Sequence, residues 1–570
     1  MSIDYSKLPE RVIDMLDWTW DEFAPFYQEL AQRPLTADSL NQWMVDWSAV
    51  MDRVDEVFSR LHVAHTVDTT DEDAERAYND FLEHIVPPAR QAAQELKERF
   101  LASGLEPENF AAPLRNMKAE AEVFRSENLP LFTDERKLSS EYDKIVGAQT
   151  VEWEGRELTI RQLLPMAQDS DRTRREEAWR LSAQRQLADR EAINALWRRF
   201  MNLRRTLAAN AQCGDYRDFC WRQLLRFDYT PADCETFHAA IEQVVVPAAS
   251  RIYEKRRRQL DLDSLRPWDL AVDPLHREPL RPFADVSELD AKCETIFHRV
   301  APRLGEYFAT MRSEGLLDLP NRKGKAPGGY CATFAHTGHP FIFMNAVGIH
   351  DDVQTMLHEA GHAFHVFESN HLPLSQQKEG PMEFAEVASM SMELLAGPYL
   401  SAEFGGFYDP AEAARARIEH LEKDLLFWPY MAVVDAFQHW VYTHHDAATD
   451  AAACDAKWGE LWDRFMPGVD YDGFEDVKVT GWHRKLHIHR YPFYYVEYGL
   501  AQLGAVLVWR NSLADQENAI AAYRKALSLG GTASLPELFA AAGARFAFDA
   551  NTLQEAVDLM TGTIEELEQS

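Results

Sequence analysis

Leu357–His365 reads LHEAGHAFH, and no other run constrains the fold as tightly. As a helix it places His358 and His362 one turn apart on one face, with their imidazoles a few ångströms from each other. Two ligands of one tetrahedral zinc require that arrangement. Glu359 follows the first histidine and points to the side of the metal where a water would lie. Its carboxylate can take a proton as that water becomes a nucleophile. With 20 histidines in 570 residues, chance yields H-E-x-x-H roughly 0.06 times in such a chain. Asp351 and Asp352 suit a first turn, and Val353, Met356, Leu357, Ala360, Ala363, Phe364 and Phe367 keep helical period. The competing reading is two surface histidines on an ordinary helix.

A third ligand has to come from a neighbouring element. Pro381–Leu395, PMEFAEVASMSMELL, reads as the next helix and offers Glu383, Glu386 and Glu393. Ala385, Val387, Ala388 and Ser389 surround Glu386, and small side chains let two helices approach closely. Glu386 is therefore the expected third ligand, with Glu383 the alternative. Glu393, two turns on, and His365 are expected to orient the ligand imidazoles or backbone.

Most of the remaining chain has helical period. Trp43, Trp47, Val50, Val54, Phe58 and Leu61 draw one apolar stripe. Ser170–Ala211 repeats the theme, and its arginines alternate with Asp and Glu, which reads as a salt-bridged face rather than a nucleic-acid stripe. Strand signals are few. Val151–Thr159 alternates around Gly155 like a hairpin, and Gly329–Ala335 with Pro340–Asn345 flank a second one. Loops are expected near 315–329, 369–382, 397–410 and 466–473. The fold class is mainly α with a small β-sheet or hairpin. Its expected division is an N-terminal helical lobe, 1–200, and a catalytic domain, 201–570.

Composition narrows the partners. Ninety-two acidic residues against 59 Lys and Arg leave a net charge of −33, which disfavours nucleic acid and anionic membrane. The nearly uncharged run Tyr498–Trp509 is too short to cross a bilayer and reads as a buried helix. The first residues, MSIDYSKLPERVIDML, lack the pattern of a secretory leader. Six dispersed cysteines without C-x-x-C spacing fit free thiols. A cytoplasmic protein is expected.

With these motifs in place, the chain resembles the thimet oligopeptidase and oligoendopeptidase F family of zinc metallopeptidases, on the oligoendopeptidase F side. The resemblance rests on HEAGHAFH followed by FAEVASMSMELL. It is joined by Asp318–Ala332 (DLPNRKGKAPGGYCA), Pro340–Asn345 (PFIFMN), Val434–Tyr442 (VDAFQHWVY) and His487–Gln502 (HIHRYPFYYVEYGLAQ). It implies a two-lobed helical metallopeptidase fold around a deep substrate channel, one zinc per chain, and cleavage of short unstructured peptides.

In a helix, Tyr491, Tyr495 and Tyr498 would stand on one face, where phenolic O–H groups can stabilise charge on a scissile carbonyl oxygen. Relatives use a histidine just before such tyrosines. His487, Tyr495 and Tyr498 are the expected set, with His489, Tyr491 and Tyr494 in reserve. The Gly329–Asn345 hairpin is the expected substrate rail, with Gly328, Gly329, Phe341 and Phe343 as substrate-binding residues. A peptide could pair along its edge through main-chain hydrogen bonds, and the glycines would allow close approach. The expected activity is a zinc endopeptidase on oligopeptides. The alternatives are a carboxypeptidase or dipeptidyl carboxypeptidase on a similar fold, or a non-catalytic peptide-binding scaffold.

Overall fold

The structure, a computed structural model, describes residues 4–569; Met1–Ile3, where the reading for a leader begins, lie outside them. Helices make up 71% of the chain. The chain packs as two compact units that interleave along the sequence. The first takes 1–121, 280–416 and 501–546, and the second takes 122–279, 417–500 and 547–570. Residues 1–200 are thus shared between the two.

In the first unit, the helix Leu40–Val67 buries the stripe read from the sequence, with Trp43, Trp47, Val50, Val54 and Leu61 inside. Trp43 meets Trp47 edge-on at 5.2 Å, and its indole N–H donates to the Leu30 carbonyl at 3.0 Å. Burying such a ring removes a large apolar area from water while the polar edge keeps a partner.

Two short sheets occur among the described residues. Strands β1 (Thr150–Trp153) and β2 (Arg156–Thr159), in the second unit, form the expected first hairpin. Its turn residues Glu154 and Gly155 both have positive φ, 50° and 75°, as a two-residue hairpin loop of matching twist requires. In the first unit, β3 (Leu317–Pro320), β4 (Tyr330–Phe334) and β5 (His339–Ala346) lie in the order β3-β5-β4. The pair β4–β5 is the expected second hairpin, with Cys331 opposite Ile342 and Tyr330 opposite Phe343. β3 is a correction to the loop expected at 315–329: it runs parallel to β5, with Leu317 opposite Ile342. Four residues carry too little alternation to show as a strand by themselves; β5 supplies their hydrogen bonds.

The arginine-rich segment forms two helices, Arg172–Ala188 and Arg190–Asn210. Its ion pairs are as expected, among them Arg172–Asp269 at 2.8 Å and Arg199–Glu141 at 2.6 Å. The solvated-face reading fails at Arg204, which is fully buried, pairs with Glu135 at 2.8 Å and donates to the Tyr442 hydroxyl. None of the six cysteines is in a disulfide. Tyr495–Ala514 is a helix whose stretch Leu500–Val508 is buried throughout, and its side chains there are apolar except at Gln502. No helix among the described residues is long and apolar enough to cross a membrane.

Candidate active site

The motif helix, His350–Ser369, starts where Asp352 folds back on its own N-terminus. The Asp352 carboxylate accepts the backbone N–H groups of Val347, Gly348 and Ile349 at 2.8, 2.8 and 3.0 Å. These hydrogen bonds satisfy amides around the helix start and place negative charge at the positive end of the dipole. The return helix, Met382–Ala396, packs against it. Gly361 permits this approach: a Cβ there would lie 2.5 Å from Ser389 Cα and 2.6 Å from the Ala388 carbonyl oxygen.

That close crossing assembles the three expected ligands. Ligand atoms of His358, His362 and Glu386 all lie within 4.8 Å of one another. Glu386 Oε2 is 3.5 Å from His358 Nε2 and 3.8 Å from His362 Nε2, and the two imidazole centroids are 5.0 Å apart. Glu393 Oε1 accepts from His358 Nδ1 at 2.7 Å, which leaves Nε2 free to ligate. His362 donates its ring N–H to the Ala385 backbone carbonyl. Ser389 was not singled out from the sequence; its hydroxyl donates to Glu386 Oε2 at 3.1 Å and aims that carboxylate. The signal is its place three residues after Glu386. His365 is a correction. It packs its ring against Phe384 at 6.3 Å, and burial holds it near 4, hence neutral.

Glu359 sits beneath the sheet. Burial pushes its carboxyl up to about 7, Glu386 and Glu393 add to the rise, and His358 and the Cys331 backbone N–H oppose it. Burial lowers His358, but Glu393, Glu386 and Glu359 more than offset this and leave it at about 9. Two imidazoles and the Glu386 carboxylate thus converge, with the Glu359 carboxylate beside them. Such a donor set suits a divalent metal of the zinc type.

The sheet's two faces separate the expected substrate residues. A Cβ on Gly329 would meet Thr355 Cγ2 at 3.3 Å and Glu359 Oε1 at 3.9 Å, so Gly329 and, two residues on, Cys331 face the motif helix. Alternation sends Tyr330 and its partner Phe343 to the opposite face. There Tyr330 stacks on Phe343 at 4.8 Å and bonds Thr66 of the helix Leu40–Val67 at 2.5 Å. Phe341 lies on that same far face, 5.9 Å from Phe334. Placing Phe341 and Phe343 against a substrate is therefore corrected: they belong to the packing behind the sheet, on its central strand. β4 is one of the sheet's two edge strands and is preceded by Gly328 at φ +103° and Gly329.

In the second unit, His487 lies amid Tyr491, Tyr494, Tyr495 and Tyr498, with ring centroids at 6.1, 6.1, 4.9 and 6.2 Å. Tyr495 receives a hydrogen bond from Lys485 Nζ at 2.7 Å. His489 is fully buried instead, 4.4 Å from the Tyr142 ring, and burial with Arg204 nearby holds it down to about 3. Tyr491 is not on the helix with Tyr495 and Tyr498. The helix begins at Tyr495, after Phe493 takes a left-handed conformation at φ 64°.

Residues 165–558 match the family model described as peptidase family M3, and residues 14–113 match the peptidase M3 N-terminal domain. The chain belongs to peptidase family M3. Oligopeptidase PepF of Bacillus subtilis (strain 168) is 32% identical over 160 residues, 27% of this chain and 23% of that protein. An oligoendopeptidase F homolog of Mycoplasma pneumoniae is 24% identical over 293 residues, 49% of this chain and 46% of its own length. The matches to these curated relatives thus span less than half their lengths. Among solved M3-like structures, PZ peptidase A with an inhibitor has a TM-score of 0.85 at 27% identity, covering 99% of both chains. Oligoendopeptidase-F from Enterococcus faecium shares the fold, with a TM-score of 0.63 at 15% identity over 98% of this chain and 99% of its own.

Proposed function

We propose that this M3 chain is a zinc-dependent endopeptidase that hydrolyses short, unstructured oligopeptides in the cytoplasm. The observation that carries the reading is the convergence of His358, His362 and Glu386 beside Glu359. Those three residues would hold the metal, which when bound supplies Lewis acidity and makes water a nucleophile near neutral pH. Glu359 accepts the proton of the attacking water at its carboxylate and passes it to the leaving amine. Glu393 and Ser389 keep His358 and Glu386 aimed. A peptide laid along the outer edge of β4 would be held through its main chain, with Gly328 and Gly329 leaving room for it. For His487, Tyr495 and Tyr498 we keep the role of stabilising oxyanion charge; it rests on the family resemblance and on their clustering.

Glu359→Gln tests the reading. Zinc content should stay at the wild-type level while kcat falls about 10²–10⁴-fold, the usual contribution of a positioned base. Substantial turnover in the variant would remove Glu359 from this role. Mass spectrometry of products from peptides with free and amidated carboxyl termini separates the endopeptidase from the carboxypeptidase readings. Equal internal cleavage of both is expected.

A further inference from the structure

A second group of metal-type side chains lies inside the second unit, partly on a block that the peptidase reading leaves unused. Val434–Tyr442 carries Asp435 and His439 four residues apart on the long helix Pro410–Thr443. Cys234 and His238 have the same spacing on the helix Pro231–Ala240. One-turn spacing puts each pair on one face of its helix. Ligand atoms of Cys234, Asp435 and His439 all lie within 4.8 Å of one another, and all three residues are buried.

The surroundings are aromatic. Phe493 and Trp221 lie 5.1 and 5.6 Å from the His439 ring, and Phe465 lies 6.4 Å from His238. His238 Nε2 bonds Asp435 Oδ2 at 2.8 Å, and His439 Nε2 is 3.3 Å from the same oxygen. Asp435 Oδ1 is buried with no hydrogen bond, and His439 Nε2 makes only the long 3.3 Å contact to Oδ2. Each is an atom that ligates metals, and leaving such atoms unsatisfied inside a protein costs free energy that a bound cation would recover.

We propose that Cys234, Asp435 and His439 bind a second metal ion, a zinc that clamps the helix Pro231–Ala240 to the long helix. A thiolate, an imidazole and a carboxylate whose ligand atoms lie within 4.8 Å of one another are donor types that bind zinc. His238 holds Oδ2 and so presents Oδ1, the role Glu393 plays for His358. Binding releases the Cys234 thiol proton to solvent and moves the His439 ring proton from Nε2 to Nδ1. Arg217 Nη1 is 3.4 Å from that Nδ1 and can only donate. It therefore has to turn aside, and it is partly exposed with Glu235 at 3.9 Å as the alternative partner.

The test is cobalt substitution of the full chain. The expected peptidase site has no thiolate, so a near-ultraviolet thiolate-to-cobalt charge-transfer band reports this site. The band should appear in wild type and in His358→Ala/His362→Ala, and vanish in Cys234→Ser. Zinc content should be two per chain in wild type and one in either variant. Absence of the band in wild type, its persistence in Cys234→Ser, or a single zinc lost with His358 and His362 would overturn the proposal. The wild-type spectrum decides even where a variant fails to fold.

Discussion

At the residue scale the side chains of the candidate metal site are held by partners of very different visibility. Glu393 was legible because it stands two turns from Glu386, and it bonds His358 at 2.7 Å. Glu393→Gln keeps the size but weakens the acceptor. Zinc affinity should fall about 10–100-fold, the usual effect of removing an orienting partner, with kcat at saturating zinc changed far less. Competition with a graded series of chelators measures this. Ser389 and the Ala385 carbonyl were not legible, since a hydroxyl or a backbone oxygen acquires its role only from what faces it. Gly329 is the converse case. Gly329→Val would press on Thr355 and the Glu359 carboxylate, so kcat should drop at least tenfold while zinc content is retained. Activity assay and metal analysis on the same preparation check it.

At the element scale the decisive contact is the crossing of the motif and return helices. Small residues around Glu386 announce a close approach, but nothing along the sequence marks Gly361, the residue that permits it. A glycine inside a helix shows as a weakness until its neighbour is known. Gly361→Ala sets a methyl against the Ser389 and Ala388 backbone. Overpacking of this kind costs about 1–3 kcal/mol, and it would also part Glu386 from the histidines. A lower urea midpoint together with weaker zinc binding is expected. The strands show the same limit. Both hairpins were legible from alternation around turn residues. Which face of β5 meets the motif helix was not, and Phe341 and Phe343 lie on the other one. Likewise, helical spacing put Tyr491 with Tyr495 and Tyr498, but the chain turns at Phe493 before the helix begins.

At the scale of the whole molecule, buried histidines tie stability to pH. His483 is buried and bonds Asn194 at 2.8 Å; burial, with His489 and Arg484 nearby, holds it down to about 2. His489 is held near 3. Both groups sit below the unfolded value of about 6.5, so the unfolded chain binds more protons at acid pH. Their stabilisation is complete above about pH 6.5 and is lost as pH falls below it, by up to about 1.4 kcal/mol per pH unit for each group. Urea midpoints at pH 7.5 and 5.5 should differ accordingly, and His483→Gln/His489→Gln should flatten the difference. The interleaving of the two units was out of reach of a linear division at residue 200, because compactness depends on contacts between distant segments. What the sequence determined was local and periodic: the helical class, the spacing of the histidine pair with its glutamate, and the next helix with its glutamates. Those follow from spacing along one element. Only the tertiary structure decided which faces meet, which glycine lets two backbones touch, and which of His487 and His489 stays with the tyrosines. Each of these depends on atoms brought together from separate parts of the chain.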